Sequence, residues 1–496
     1  MAYAAAPHSP AAGILNEALA EFDTYAESAR LAWKVPGMAV AVVKDGDVIF
    51  ARGYAVKTAG GSDPVTTDTV FQIGSTSKAF TAALAAMEVD SGRMSWTDPV
   101  VRYVPDFRMK DPWVTKEFTI TDSLSQRSGL DDKWGTDLAM LGYSRSEMIH
   151  ALRYAEPIAS FRSQYAYQNI PFIVAAAVVE NTSRKSWEGD LQPRIFTPLN
   201  MTGASSSYEA LLLAPDHATL HMLGRMPDGT LGPIPFDPDW EFNNMTYLLG
   251  PAGGINANVN DMAAWAIFQL GDGTAGGNKL ISPENMAYMH TPRTPEADVM
   301  ADSKSYYCLG WNYREMDGTP PVVHHTGESL GHHSVVYLVP DENLGIVVLA
   351  NEAGPSLPED VAERFYQLYF GTVPADAGAD NGDPLQPIKA LLFPEKAARP
   401  KNPAAPLPLA KYTGSYTDNA YGTATVAEAD GNLTLTFGKK PVVTLCLSPW
   451  DGNTFRATCP EWSWGPGYDG IVRQVTVPLF IEGVLHRSVT FVRTNA

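Results

Sequence analysis

Cysteine is scarce: Cys308, Cys446 and Cys459 are the only three among 496 residues, too few for a disulfide framework and without the spacing of a zinc site. A bridge between Cys446 and Cys459 on neighbouring strands stays open. The histidine pairs His324-His325 and His332-His333 lack acidic or cysteine ligands at metal-site spacing, so neither a metal nor another cofactor is expected. Positive charge is also short, 36 Lys and Arg against 55 Asp and Glu with a net charge of -19. That balance disfavours nucleic acid and anionic membrane as partners. No apolar run reaches 18 residues, so no membrane span is expected. The N-terminus, Met1-Ala2-Tyr3-Ala4-Ala5-Ala6-Pro7, has neither a basic stretch nor an apolar run after it, but small residues of this kind often follow a removed export signal. The expected location is periplasmic or secreted, with the cytoplasm as the alternative; the oligomeric state is left open.

The chain does hold a helix that leaves little polar surface. Phe80, Leu84 and Met87 recur at i, i+4 and i+7, and Ala79, Ala82, Ala83, Ala85 and Ala86 fill the other faces, so the helix belongs inside a domain. Ser91-Gly92 stops it. At its head, Ser75 and Lys78 stand three residues apart and therefore share a face, within reach of each other. Ser75 sits where unpaired backbone N–H groups and the positive helix end favour an oxygen that becomes negative in a reaction. Ser-x-x-Lys alone also reads as a capping serine followed by a first-turn surface lysine, so other residues must decide.

Before this helix, helical spacing from Ile14 to Trp33 is followed by two apolar runs, Met38 to Val43 and Val48 to Tyr54, around the turn Asp45-Gly46. After it, Tyr165-Ala166-Tyr167-Gln168-Asn169-Ile170-Pro171 leads into an apolar helix, with Pro171 in the first turn and Tyr167 and Asn169 on the loop before it. Residues 205–250 are rich in turn signals and read as an irregular excursion over the site. A helix is expected from Val259 to Leu270. His324-His325-Thr326-Gly327-Glu328 then precedes two apolar strands, Ser334 to Val339 and Leu344 to Ala350. Eight prolines between Gly371 and Leu409 mark a linker. Beyond it, short alternating runs such as Leu433 to Phe437 predict a small antiparallel barrel or sandwich.

Ser75-x-x-Lys78, Tyr167-x-Asn169 and His325-Thr326-Gly327 come in the order and approximate separation of three motifs of one family. Over residues 30–370 the chain resembles the serine acyl transferases that include class C β-lactamases, penicillin-binding DD-peptidases, D-aminopeptidases of peptidase S12 type and related esterases. The resemblance extends to Asp98-Pro99-Val100, Ser128-Gly129-Leu130 and Pro251-Ala252-Gly253-Gly254. It implies an α+β fold of β-lactamase/transpeptidase type, an antiparallel sheet flanked by helices with a helical subdomain. The expected division is a catalytic domain over residues 10–371, a linker over 372–409 and a small antiparallel β-barrel over 410–496, similar to the lipocalin-like appendages of some relatives.

By that match Ser75 is the nucleophile. Lys78 and Tyr167 form the pair that takes its proton, and which of them does so is left open, since each has an ordinary pKa about 3 units too high for pH 7. Asn169 holds Lys78 and a substrate amide. The backbone N–H groups of Ser75 and Glu328 form an oxyanion hole, and Gly327, on what resembles the family's edge strand, lets backbone approach the substrate. Two departures stand out. His325 occupies a place where β-lactamases and DD-peptidases commonly carry lysine, as in the D-aminopeptidase and esterase branches, and Gln126 stands where many relatives have histidine.

The leading expectation is a serine hydrolase of small esters or amides, D-amino acid peptides included, acting on a small-molecule or short peptide substrate. Acyl transfer to an amine, including peptide cyclisation by a penicillin-binding-protein-type thioesterase, uses the same residues. A true β-lactamase and a catalytically silent binding or sensor protein are the remaining readings. An acyl adduct seen by intact mass separates the enzymes from the silent protein.

Overall fold

The computed structural model describes residues 12–494 except 133, 227, 241, 297–302, 374–382, 386–398, 440–441, 459–468, 474–478 and 483–488. Its centre is an eight-stranded antiparallel sheet in the spatial order Asp47–Ala55, Gly37–Lys44, Leu344–Ala350, His333–Val339, Thr319–Glu328, Asn312–Met316, Ser303–Tyr307, Thr294–Pro295. The apolar runs of the sequence become its middle strands, because a strand covered on both faces needs apolar side chains at every position. Gly37–Lys44 shows this directly. Met38, Val40 and Val42 enter one core, while Ala39, Ala41 and Val43 enter the other.

The first core lies under the helices Ala12–Trp33 and Leu357–Phe370, where Phe22 meets Phe365 edge to face at 5.2 Å. The second, larger core holds the helices Ser77–Asp90, Ile170–Ser183 and Val259–Leu270. Phe80 stacks on Trp265 at 3.8 Å there, and the Ser77–Asp90 helix is buried from Ser77 through Glu88, as its alanine content requires. Among the described residues no helix is long and apolar enough to cross a membrane.

Two expectations need correction. Residues 205–250 form a helix, Tyr208–Leu213, and a hairpin, His221–Arg225 with Leu231–Pro235, gathered on a small core of their own around Tyr208, Leu211, Leu220 and Phe236. Prolines punctuate that region without preventing packing. The strand Thr319–Glu328 is not an edge strand: it pairs on one side with His333–Val339 and on the other with Asn312–Met316. Pairing with the latter ends at Asn312↔His324, so only the stretch from His325 to Glu328 offers an open edge. Beyond the linker, Gly414–Asp418, Gly422–Ala429, Asn432–Phe437, Val443–Asp451 and Thr454–Thr458 pair in turn as a curled antiparallel sheet, which Asp469–Arg473, Leu479–Glu482 and Val489–Arg493 continue. Gly414–Asp418 meets Val489–Arg493 over only two residue pairs, Tyr416↔Arg493 and Thr417↔Val492, so the seam is short. Cys446 is free and exposed, Cys308 free and buried, and Cys459 lies outside the described residues. Most of the linker also lies outside them.

Candidate active site

Ser75 lies in a single 3-10 turn, Gly74–Thr76, that leads into the helix Ser77–Asp90. Two glycines fix that turn against the sheet. Gly74 has φ +52°, and a Cβ there would stand 2.6 Å from the Glu328 carbonyl oxygen and 2.7 Å from the Glu328 nitrogen. A Cβ on Gly327 would stand 2.0 Å from the Ile73 carbonyl oxygen and 3.0 Å from the Thr76 nitrogen. Neither position leaves room for a side chain, so backbone packs on backbone and the Ser75 turn lies against the open edge of the strand. Ser334 Oγ and Thr76 Oγ1 both donate to the Ile73 carbonyl, at 2.7 and 2.8 Å, and lock the seam.

Ser75 Oγ sits between two groups. Lys78 Nζ is 3.0 Å away, and the Tyr167 hydroxyl donates to it at 2.8 Å. Lys78 Nζ also donates to Asn169 Oδ1 and to the Ala252 carbonyl, each at 2.8 Å. Burial pushes the Lys78 pKa well below its ordinary value and the Tyr167 pKa above its own. The Tyr167 and Phe172 rings, 4.8 and 5.4 Å from Nζ, favour an ammonium. Cation–π attraction is worth about 0.5–2 kcal/mol, whereas burying an ion without a counter-ion costs several kcal/mol, so burial outweighs the rings and favours the neutral amine and the neutral phenol. A neutral amine has two protons to donate, and Asn169 Oδ1 and the Ala252 carbonyl can only accept. In that neutral form its lone pair is the part left to face the Ser75 hydroxyl.

The loop carrying Tyr167 and Asn169 is held by side-chain amides. Gln126, buried and at φ +54°, accepts from the Ala166 N–H through its carbonyl and from the Gln168 N–H through Oε1, at 2.9 and 2.7 Å. Gln168 donates to the carbonyls of Asp131 and Trp134, at 2.7 and 2.8 Å, and its Oε1 accepts from the Ile170 N–H at 2.9 Å. Gln126 thus takes two N–H groups of the loop at once. Asn169 Nδ2 donates to Thr136 Oγ1 at 3.1 Å. Gln168 and Thr136 carry no motif and were invisible in the sequence; Gln168 could have been noticed only by its place between Tyr167 and Asn169.

His325 is close by but turned away. Its Nδ1 faces the Thr326 carbonyl at 2.5 Å and its Nε2 faces the Tyr307 hydroxyl at 2.9 Å, while its ring centre is 6.4 Å from that of Tyr167. A carbonyl only accepts, so Nδ1 carries the proton and Nε2 accepts from Tyr307. Burial, with Lys78 nearby, pushes the His325 pKa down to about 3, so the ring is neutral. The Glu328 side chain is exposed, while its backbone meets Gly74. Among the described residues no group of three or more His, Cys, Asp or Glu is arranged to hold a metal ion.

The family described as Beta-lactamase matches residues 24–369, and residues 398–490 match a family described as Domain of unknown function (DUF3471). The chain is 28% identical to an unguisins hydrolase of Aspergillus campestris over 84% of its own length and 78% of the relative's. It is 26% identical to penicillin-binding protein 4 of Amycolatopsis lactamdurans, over 77% of its own length and 93% of the relative's. The octameric penicillin-binding protein homologue of Pyrococcus abyssi superposes with a TM-score of 0.62 at 20% identity, covering 95% of this chain and 99% of that one, so the fold is shared. With its matched region spanning most of its length and including the whole eight-stranded sheet and the Ser75 turn, the chain belongs to the Beta-lactamase family.

Proposed function

We propose that the protein hydrolyses esters or amides through an acyl-enzyme on Ser75. The observation that carries this reading is the placement of Ser75 Oγ, 3.0 Å from a buried lysine amine and 2.8 Å from a phenol hydroxyl. The Lys78 amine takes the Ser75 proton as Oγ attacks the substrate carbonyl carbon, and the new C–O bond pushes a pair of electrons onto the carbonyl oxygen. That oxyanion lies at the backbone N–H groups of Ser75 and Glu328, where one donor is worth about 3 kcal/mol of barrier. Collapse breaks the bond to the leaving oxygen or nitrogen, which leaves with a proton from the Lys78/Tyr167 pair, Tyr167 standing on the other side of Oγ. Water then repeats the sequence on the acyl-Ser75 ester. Asn169 and Ala252 keep the amine aimed; His325 acts through the Tyr307 contact and the packing of Tyr167.

A neutral His325 offers no charge to a substrate carboxylate, so the reading favours neutral esters and amides, D-amino acid amides included, over β-lactams. A charged hydrogen bond of that kind contributes about 1.5–3 kcal/mol. Glu328, exposed beside the seam, suits a substrate amine. The same reading places catalysis in residues 10–371 and treats residues 410–496 as a lipocalin-like appendage, which the curled antiparallel ladder supports. The test is a panel of kcat/KM values on short-chain p-nitrophenyl esters, D-amino acid amides and nitrocefin, with an amine acceptor included. Esters or D-amino acid amides are expected to exceed nitrocefin. A nitrocefin value above all others would contradict the substrate assignment, and loss of the acyl group to the amine rather than to water would make the protein a transferase.

A further inference from the structure

The curled C-terminal sheet reaches the segment that supports the active site. The hairpin joining its first two strands turns at Asp418, whose Oδ1 accepts from the N–H groups of Ala420 and Tyr421 at 2.7 and 2.9 Å. This turn drives the Tyr421 side chain into the other region, where it is fully buried and belongs to the same hydrophobic core as the catalytic helix. Its hydroxyl donates between the two oxygens of the buried Asp137 carboxylate, 2.9 Å from each. In return the Tyr143 hydroxyl donates to the Tyr421 carbonyl at 2.6 Å. The next residue is Gly422, at φ +70°, where a Cβ would lie 3.0 Å from that Tyr143 hydroxyl.

Asp137 follows Thr136 in the helix Thr136–Met140, and Thr136 Oγ1 holds Asn169, whose Oδ1 holds Lys78. The carbonyl on the other side of Lys78 depends on the same neighbourhood. Lys439 of the curled sheet pairs with Glu147, which caps the helix Arg145–Ala151, and the Lys439 N–H donates to the Leu141 carbonyl at 2.9 Å. Arg145 of that helix donates to the carbonyls of Tyr247 and Leu248 at 3.0 and 3.1 Å. Its guanidinium would lie 2.4 Å from a Cβ on Gly250, the first residue of the turn that presents the Ala252 carbonyl to Lys78. Both partners that fix the amine protons are therefore braced by residues 136–147, and the curled sheet grips that segment at both ends.

We propose that Tyr421 is a positioning residue of the active site, acting through Asp137 and Thr136 on Asn169 and Lys78, so that the C-terminal region is a working part of the catalytic machinery. The proposal rests on the acyl-Ser75 reading. Removing the hydroxyl while keeping the ring preserves the packing and frees only the Thr136 helix. Looser support of Asn169 lets water reach Lys78, whose pKa then moves back up toward its ordinary value.

The test uses the full-length chain with Tyr421→Phe, Asp137→Asn, Thr136→Val and the Tyr421→Phe/Thr136→Val double variant, assayed beside Ser75→Ala on one p-nitrophenyl ester. Tyr421→Phe is expected to lower kcat roughly tenfold with KM within about twofold, and to move the acid limb of the kcat/KM profile to higher pH. In the Thr136→Val background the same substitution should cost less than about twofold, because the route is already cut. Asp137→Asn should shift the acid limb the same way, and it carries the test if Tyr421→Phe fails to fold. Wild-type kcat with an unmoved acid limb, or an undiminished loss in the Thr136→Val background, would overturn the proposal even when melting temperature falls, since that is what a purely structural tyrosine gives. An active Ser75→Ala would instead overturn the acyl-enzyme reading on which it stands.

Discussion

The turn Gly74–Lys78 and the wall made by Gln126, Thr136, Gln168 and Asn169 hold the same serine by different means. The turn is placed by backbone contact: two positions with no room for a Cβ and two hydroxyls on the Ile73 carbonyl press it against the strand end. The wall is placed by side-chain hydrogen bonds that run from residue to residue and reach into the C-terminal region. Backbone contact between rigid elements does not yield by degrees. A chain of hydrogen bonds does, because each link can lengthen or take a water. Damage to the turn should therefore abolish function, and damage to the wall should reduce it.

The sharpest way to break the contrast is Gly327→Ala. Its methyl group must displace the Ile73 carbonyl and with it the Ser75 turn, so kcat/KM is expected to fall by at least about a hundredfold and the melting temperature to drop, overpacking of this kind costing about 1–3 kcal/mol. Wild-type activity in that variant would show that the seam is not rigid. Lys78→Ala and Tyr167→Phe should each cost about 10²- to 10⁴-fold in kcat, the range of general acid–base catalysis, and their double variant far less than the product. Multiplicative losses in steady-state assays would mean the two do not work as a pair.

On the wall, Gln168→Leu removes the donor to the Asp131 and Trp134 carbonyls and the acceptor for the Ile170 N–H. It should lower stability in urea by about 1–3 kcal/mol while leaving measurable turnover. A total loss of activity without loss of stability would place the wall among the reacting groups. Smaller still is Glu328→Gln, which should lower kcat/KM on amine-bearing substrates by a few-fold, about the worth of an exposed charge pair, and leave neutral esters unchanged.

The pH profile separates the buried bases. The folded Lys78 pKa lies below its unfolded value of about 10.4, so activity requires the neutral amine and is lost as pH falls through the lowered value. Over the same window the unfolded chain binds more protons than the folded one, so this group makes stability rise with pH until about 10.4. His325, pushed down to about 3, stays neutral from pH 5 to 8. No inflection in kcat/KM between pH 5 and 8 is expected to come from His325, and one that vanished in His325→Gln would show that the ring titrates at the site.

What the sequence made legible follows the same division. Ser75 and Lys78 declare themselves because one helical turn sets their distance, and the middle strands because full burial leaves only apolar choices. The roles of Tyr167, Asn169 and Gly327 were readable through their motifs, though nothing local brings them to Ser75. Gln126, Thr136 and Tyr421 were not, since each acts across tens or hundreds of residues through one or two hydrogen bonds that no periodicity records. Residues 205–250 misled for a related reason. Pro and Gly mark where a chain turns, and they do not say whether Tyr208, Leu211 and Phe236 will find one another.

The acyl-enzyme itself is the most direct thing to measure. The protein, quenched in acid during turnover of a slowly released acyl donor and examined by intact mass and peptide mapping, should carry one acyl group on Ser75. Ser75→Ala, folded to the same melting temperature, should carry none and turn over at under a few per cent of the wild-type rate. An acyl group on any other residue, or a Ser75→Ala variant that keeps its activity, would contradict nucleophilic catalysis by Ser75.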